Sequence, residues 1–168
     1  MKIFLWNCLV SLRRDIRKSL DRTLSSTDGY GSQERTIVLT VNPGVLDGLR
    51  NELRAHIDKM YAELLKEMSE ADARLVMFPP VLLCDEMVMT HIPKEQHTMW
   101  RLIQAEMFQI NYGGDVFYEF ADERLSKPET PPMVFEVLYY CLSAGFNGRF
   151  GFDATKIMKY KGLLAERI

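Results

Sequence analysis

Leu5, Leu9, Leu12, Ile16, Leu20 and Leu24 recur at steps of three and four residues. Only a helix brings such positions to one side, because its 3.6-residue turn returns each step to nearly the same azimuth. The spacing predicts a first helix with an apolar stripe, and it places Arg13, Arg14, Arg17 and Arg22 mostly elsewhere. Leu46, Leu49, Leu53, Ile57, Met60 and Leu64 repeat the pattern in a second helix. Against this, Thr36 to Val41 is the only β-branched run, too short for a sheet, and reads as extended chain or a minor strand. Between the two helices, Ser25-Ser26-Thr27-Asp28-Gly29-Tyr30-Gly31 reads as a loop, with mobility expected near 25–41.

Boundary residues divide the rest. Asn42-Pro43 supplies a capping oxygen followed by a residue with no amide to satisfy, so the second helix starts there. Ser69 with Asp72 opens a third helix, in which Pro79-Pro80 should cause a kink or break before Leu82, Leu83, Cys84, Met87 and Val88 carry it to Pro93. Met99, Trp100, Ile103, Met107 and Ile110 mark a fourth helix. Gly113-Gly114 breaks the chain, and Asp115 is placed to cap a fifth that carries Phe117, Phe120, Ala121 and Leu125. Thr130-Pro131 starts a sixth, apolar nearly all round from Met133 to Ala144 and hence expected at the centre, with Gly145 closing it in a left-handed conformation. Asp153 caps a last helix with Ile157, Met158, Leu163 and Leu164 inward and Lys156, Lys159, Lys161 and Arg167 outward. The sequence thus predicts one all-α domain over residues 1–168, without internal repeats.

Several function classes lose support at this point. Basic and acidic residues number 21 and 23, a net charge of −2, whereas a dedicated nucleic-acid binder carries a clear basic excess. Cys8, Cys84 and Cys141 are odd in number and contain no CxxC, so neither a disulfide framework nor a zinc ribbon is indicated, and a reducing compartment fits best. No apolar run approaches the roughly 20 residues of a membrane span. Phosphate-loop, dinucleotide-binding and nucleophile-elbow motifs are all missing from the sequence. Gly113-Gly114-Asp115-Val116-Phe117 is similar to the GGDEF signature of diguanylate cyclases, but here the segment joins two helices and reads as a turn.

Two groups of acids stand out. Cys84, Asp85, Glu86 and His91 lie close on one helix, but neighbouring side chains diverge by about 100°, so a metal site is not expected there. Following an apolar run and the diproline, Asp85 and Glu86 should instead emerge at the mouth of a groove, where at least one touches a partner, or else one caps a neighbouring helix or pairs with a local Arg or Lys. Glu136 is the sole charge inside the apolar sixth helix. A buried carboxylate needs a partner, and Arg149 or the backbone amides near the Gly145 turn are the candidates.

The order of these motifs resembles the cytoplasmic domain of the DotU/TssL family, the inner-membrane component of type VI secretion systems that appears as IcmH/DotU in the type IVB apparatus. The matching residues are Leu83-Cys84-Asp85-Glu86, Trp100, Phe108, Gly113-Gly114 with Phe117, Pro128, Glu136 through Tyr139, Cys141-Leu142 and Gly145-Phe146-Asn147-Gly148-Arg149-Phe150. They cover residues 70 to 155 in order and spacing. Asn147 and Phe150 depart from the pattern, since members commonly carry Glu and Tyr there.

The resemblance implies about seven helices in two abutting bundles and a structural motif built on Trp100, Gly113, Gly114, Phe117, Glu136, Tyr139, Gly145, Phe146, Gly148 and Arg149. It implies a scaffold that binds an IcmF/TssM-type inner-membrane protein and baseplate components, with no cofactor, weak self-association as a homodimer, and a membrane helix beyond Ile168 at the cytoplasmic face. Two other readings stay open on the residues alone: a helical ligand-binding regulator with a closed apolar cavity, and a small enzyme using Asp85, Glu86 and Glu136.

Overall fold

The leucine stripes become two long helices laid against each other, α1 (Ile3–Leu24) and α2 (Pro43–Leu64). The computed structural model describes residues 3–24 and 41–168, so the expected loop at Ser25–Gly31 and all of the expected extended segment except Val41 lie outside the described residues. Leu5, Leu9, Leu12, Ile16 and Leu20 of α1 are buried, as are Leu46, Leu49, Leu53, Ile57, Met60 and Leu64 of α2. Removing one such side chain from water is worth about 2 kcal/mol, and this contact drives the pairing. Asn42 caps α2 by accepting from the Gly44 amide at 2.8 Å.

Seven α-helices and two 3-10 turns are found among the described residues, with no strand. α3 (Glu70–His91) starts at Ser69, whose hydroxyl accepts from the Asp72 amide at 3.1 Å. It does not break at Pro79-Pro80. Every residue from Val76 to Asp85 is buried, so packing on all sides holds the helix together although the Leu75 and Val76 carbonyls lose their usual donors. α3 touches α1, α2, α4, α5 and α6, which makes it, rather than α6, the centre of the molecule. One bundle consists of α1, α2 and α3; the other shares α3 and adds α5, α6 and α7.

The expected fourth helix is divided. Lys94–Met99 forms a 3-10 turn, Trp100 to Leu102 run extended or irregular, and α4 covers only Ile103–Phe108. α5 (Gly113–Ser126) begins at the glycine pair itself, so Asp115 sits in its first turn rather than capping it. α6 (Pro132–Ser143) is buried along most of its length, as expected. It ends with Gly145 at φ 108°, the Phe146 amide donating to Cys141 at 3.0 Å and the Gly145 amide to Leu142 at 3.3 Å, so that two terminal carbonyls are satisfied.

α7 (Ala154–Ala165) follows the Asp153 cap, where the carboxylate accepts from the Lys156 amide at 3.2 Å. Its facing differs from expectation. Leu164 is buried, but Met158 and Leu163 are exposed, because α7 packs against α6 and the Gly148–Phe150 3-10 turn along one narrow side. Arg167 turns inward instead, over the Phe135 ring and onto the Leu125 carbonyl at 2.7 Å. Lys161 lies over Tyr139.

Candidate functional site

The two bundles meet at one turn of α3. Asp85 and Glu86 are neighbours there, and the helix aims their side chains in different directions. Asp85, 2% exposed, reaches α4: its Oδ1 accepts from Trp100 Nε1 at 2.8 Å and from the Ile103 amide at 3.0 Å, and its Oδ2 from the Gln104 amide at 2.8 Å. The carboxylate therefore caps α4 from outside. This is why the expected fourth helix cannot continue back through Trp100: its first amides point at α3.

Glu86 reaches the segment after α6, where Oε1 accepts from the Asn147 amide at 2.7 Å and Oε2 from the Gly148 amide at 2.8 Å. Burial pushes both carboxyls above their ordinary range, while the donors oppose that shift. Asp85 takes the capping role expected as the alternative to a partner contact, and the oxygens of both acids meet the protein's own donors. Among the amides near the Gly145 turn that were candidates for Glu136, those of Asn147 and Gly148 meet Glu86 instead.

Glycines let the joined segments approach. Gly148 lies at φ 54°, and a Cβ on it would fall 2.6 Å from the Gly114 carbonyl oxygen and 2.9 Å from the Phe146 ring. A Cβ on Gly114 would meet the Gly148 backbone at 3.2 Å, and one on Gly113 would overlap the Gln104 side chain. The start of α5 therefore approaches the turn after α6 this closely because Gly148 carries no side chain, and Gly114 leaves little room for one. Below the glycines, Phe146 stacks on Phe117 with ring centres 4.2 Å apart, and the Tyr118 hydroxyl donates to the Asn147 carbonyl at 2.9 Å.

Above this joint lies an open groove of about 280 Å³, lined by Asp85, Glu86, Gln104, Gly113, Phe146 and Gly148, with Met89, Leu102 and Tyr112 among its other lining residues. Tyr112 is 76% exposed.

The remaining candidates fall elsewhere. Glu136 is buried in α6, in the wall of a separate hollow with Trp6, Arg13 and Tyr139. The Arg149 guanidinium, its expected partner, is carried over the rings of Tyr118 and Phe150, at 5.4 and 5.1 Å. Aromatic faces attract it there, and the turn that carries it packs on α5 and α7. Cys84 faces the core, and exposed His91 brings its Nδ1 within 2.6 Å of the Met87 carbonyl oxygen. Among the described residues no three potential ligands gather around a metal position.

Other organising residues escape a reading by sequence pattern. Gln96 is buried, and its side-chain amide accepts from the Val41 amide at 2.9 Å and donates to the Val41 carbonyl at 3.2 Å, holding the chain just before α2. Arg50 donates to the Arg101 carbonyl at 2.8 Å and to Glu106, fastening α2 to α4. Neither belongs to an apolar period or a short motif, so only the folded chain reveals the contact.

A family model described as type VI secretion system protein DotU matches residues 32–168. The solved structure of DotU from Francisella novicida aligns with a TM-score of 0.65 at 22% identity, over 99% of each chain. The cytoplasmic domain of TssL from Acinetobacter baumannii aligns at 0.63 and 16% identity, over 95% of this chain and 98% of that one. At these identities the two structures show a shared fold. No curated protein matches the sequence.

Proposed function

The chain belongs to the DotU family of type VI secretion system proteins, and we propose that it acts there as a scaffold, joining an IcmF/TssM-type membrane protein to baseplate components. In this reading the groove above Asp85 and Glu86 receives a partner, and the two carboxylates act as positioning residues that fix its walls. The observation that carries it is the joint itself: two adjacent acids hold α4 and the turn after α6 through five backbone and indole donors. A rigid groove with Met89, Leu102 and Tyr112 along it suits docking, since little ordering is needed on binding.

An enzyme using the same acids would need a carboxylate oxygen turned toward a substrate, and here the oxygens face backbone amides. No helix among the described residues is long and apolar enough to cross a membrane. Anchoring at the cytoplasmic face of the inner membrane would raise the local concentration of both partners, so that modest interfaces suffice and the isolated domain associates weakly with itself. The test is co-purification from cells carrying the secretion cluster, with Tyr112→Ala beside the wild type. The scaffold reading expects the IcmF/TssM-type protein or a baseplate component to be retained by the wild type and lost by the variant; equal retention would remove the groove from the account.

A further inference from the structure

A second surface lies on α1. Ile3, Trp6, Val10, Arg13 and Arg17 follow one another at steps of three and four residues, along a stripe about 100° round the helix from the leucines that α1 buries. Ile3 is 80% exposed, Trp6 48% and Val10 38%. The stripe is thus apolar in its first half and cationic in its second. Two adjoining hollows of about 390 and 230 Å³ share Trp6, Arg13 and Tyr140, and the Trp6 ring stands edge-on to Tyr140 at 5.5 Å.

Charge and hydrogen bonding identify the occupant. Arg13, Arg14, Arg17 and Lys18 line the larger hollow against Asp21 alone, in a chain whose net charge is −2. Glu136 in the smaller hollow and Asp15 beside Arg14 offset this excess without reversing it. Arg13 donates one Nη to the Ala144 carbonyl at 3.2 Å, and this holds its guanidinium at the end of α6. Its Nε is buried and has no acceptor. A carboxylate is the acceptor that a guanidinium fork fits best.

We propose that this stripe docks an acidic amphipathic segment of another protein, with apolar residues set against Ile3, Trp6 and Val10 and carboxylates against Arg13, Arg14 and Arg17. A peptide, rather than a flat lipid surface, fits paired hollows with a half-buried arginine between them. The inference is independent of the scaffold reading, which concerns the groove at Asp85 and Glu86.

The probe is a synthetic helical peptide carrying Leu and Phe at three- and four-residue spacing in one half and Glu in the other. A counterpart with Lys for each Glu, and vesicles of phosphatidylglycerol, serve as comparisons. Tryptophan emission reports directly, since the chain has two tryptophans and Trp100 is buried. The acidic peptide should shift Trp6 emission to shorter wavelength and bind more weakly as salt rises. Arg14→Glu with Arg17→Glu, both exposed positions, should weaken it about tenfold or more while the melting curve is unchanged. Tyr112→Ala should bind the peptide like the wild type, which keeps this result separate from that of the groove. Equal binding of the Lys peptide, undiminished binding by the double variant, binding to vesicles alone, or no binding at all would overturn the proposal.

Discussion

Asp85, almost fully buried, meets three donors with two oxygens, an arrangement that only an acceptor on both atoms satisfies. Asp85→Asn would turn an NH2 group toward at least one of those donors, leaving buried groups unpaired. A loss of about 2–3 kcal/mol is expected in urea unfolding, with helical circular dichroism retained in the folded baseline; an unchanged midpoint would contradict the cap. Glu86 adds a dependence on pH. Burial raises its folded pKa, so the fold holds the proton more tightly than the unfolded chain does, and this contribution is full below the ordinary glutamate range and lost as pH rises through the raised value. The stability difference between wild type and Glu86→Gln should therefore shrink as pH climbs from about 4 to 7. Glu106 has the opposite sign: hydrogen bonds from Arg50 and Arg54 lower its pKa, so its smaller, solvent-screened contribution appears as pH rises and is lost as pH falls. A difference for Glu86→Gln that grows with pH would show the carboxylate to be stabilised as an anion. That Asp85 and Glu86 matter, and that capping is one of their possible roles, is legible from their place after an apolar run. Which amides they meet is not, because the donors lie 15 to 62 residues away in sequence.

Glycines set the contacts between elements, and they are not equivalent. Gly145 and Gly148 both have positive φ, but open space surrounds a Cβ at Gly145, whereas one at Gly148 meets the Gly114 carbonyl. Gly145→Ala should cost roughly 1 kcal/mol for the left-handed backbone alone. Gly148→Ala should cost roughly 3, since α5 must also shift away. Gly162→Ala, inside α7 with nothing near its Cβ, should stabilise by up to about 1 kcal/mol. Thermal melts of the three variants check the order, and equal losses at Gly145 and Gly148 would deny the close approach. Helix existence was readable from apolar period and caps, and Asn42, Ser69, Asp153 and Gly145 all act where their chemistry places them. Where the reading departs, tertiary contacts override local preference. The buried Val76–Asp85 stretch keeps α3 continuous through two prolines, and Asp85 moves the start of α4 to Ile103.

Across the whole molecule, α3 belongs to both bundles, and its Asp85–Glu86 turn sets how α4, α5 and the turn after α6 surround the groove. Asp85, Glu86 and the glycines build the walls of the groove, while exposed Tyr112 stands outside this set. Position after an apolar run leaves contact and capping open for the acids, since it cannot tell a residue that touches a partner from one that shapes the surface. The most direct measurement is calorimetric titration of this chain with the soluble part of the proposed IcmF/TssM-type partner, comparing wild type with Tyr112→Ala and following the melting temperature of each. The account expects Tyr112→Ala to weaken binding about tenfold or more with its melting temperature unchanged, as loss of an exposed aromatic anchor should. Wild-type affinity in that variant would contradict it.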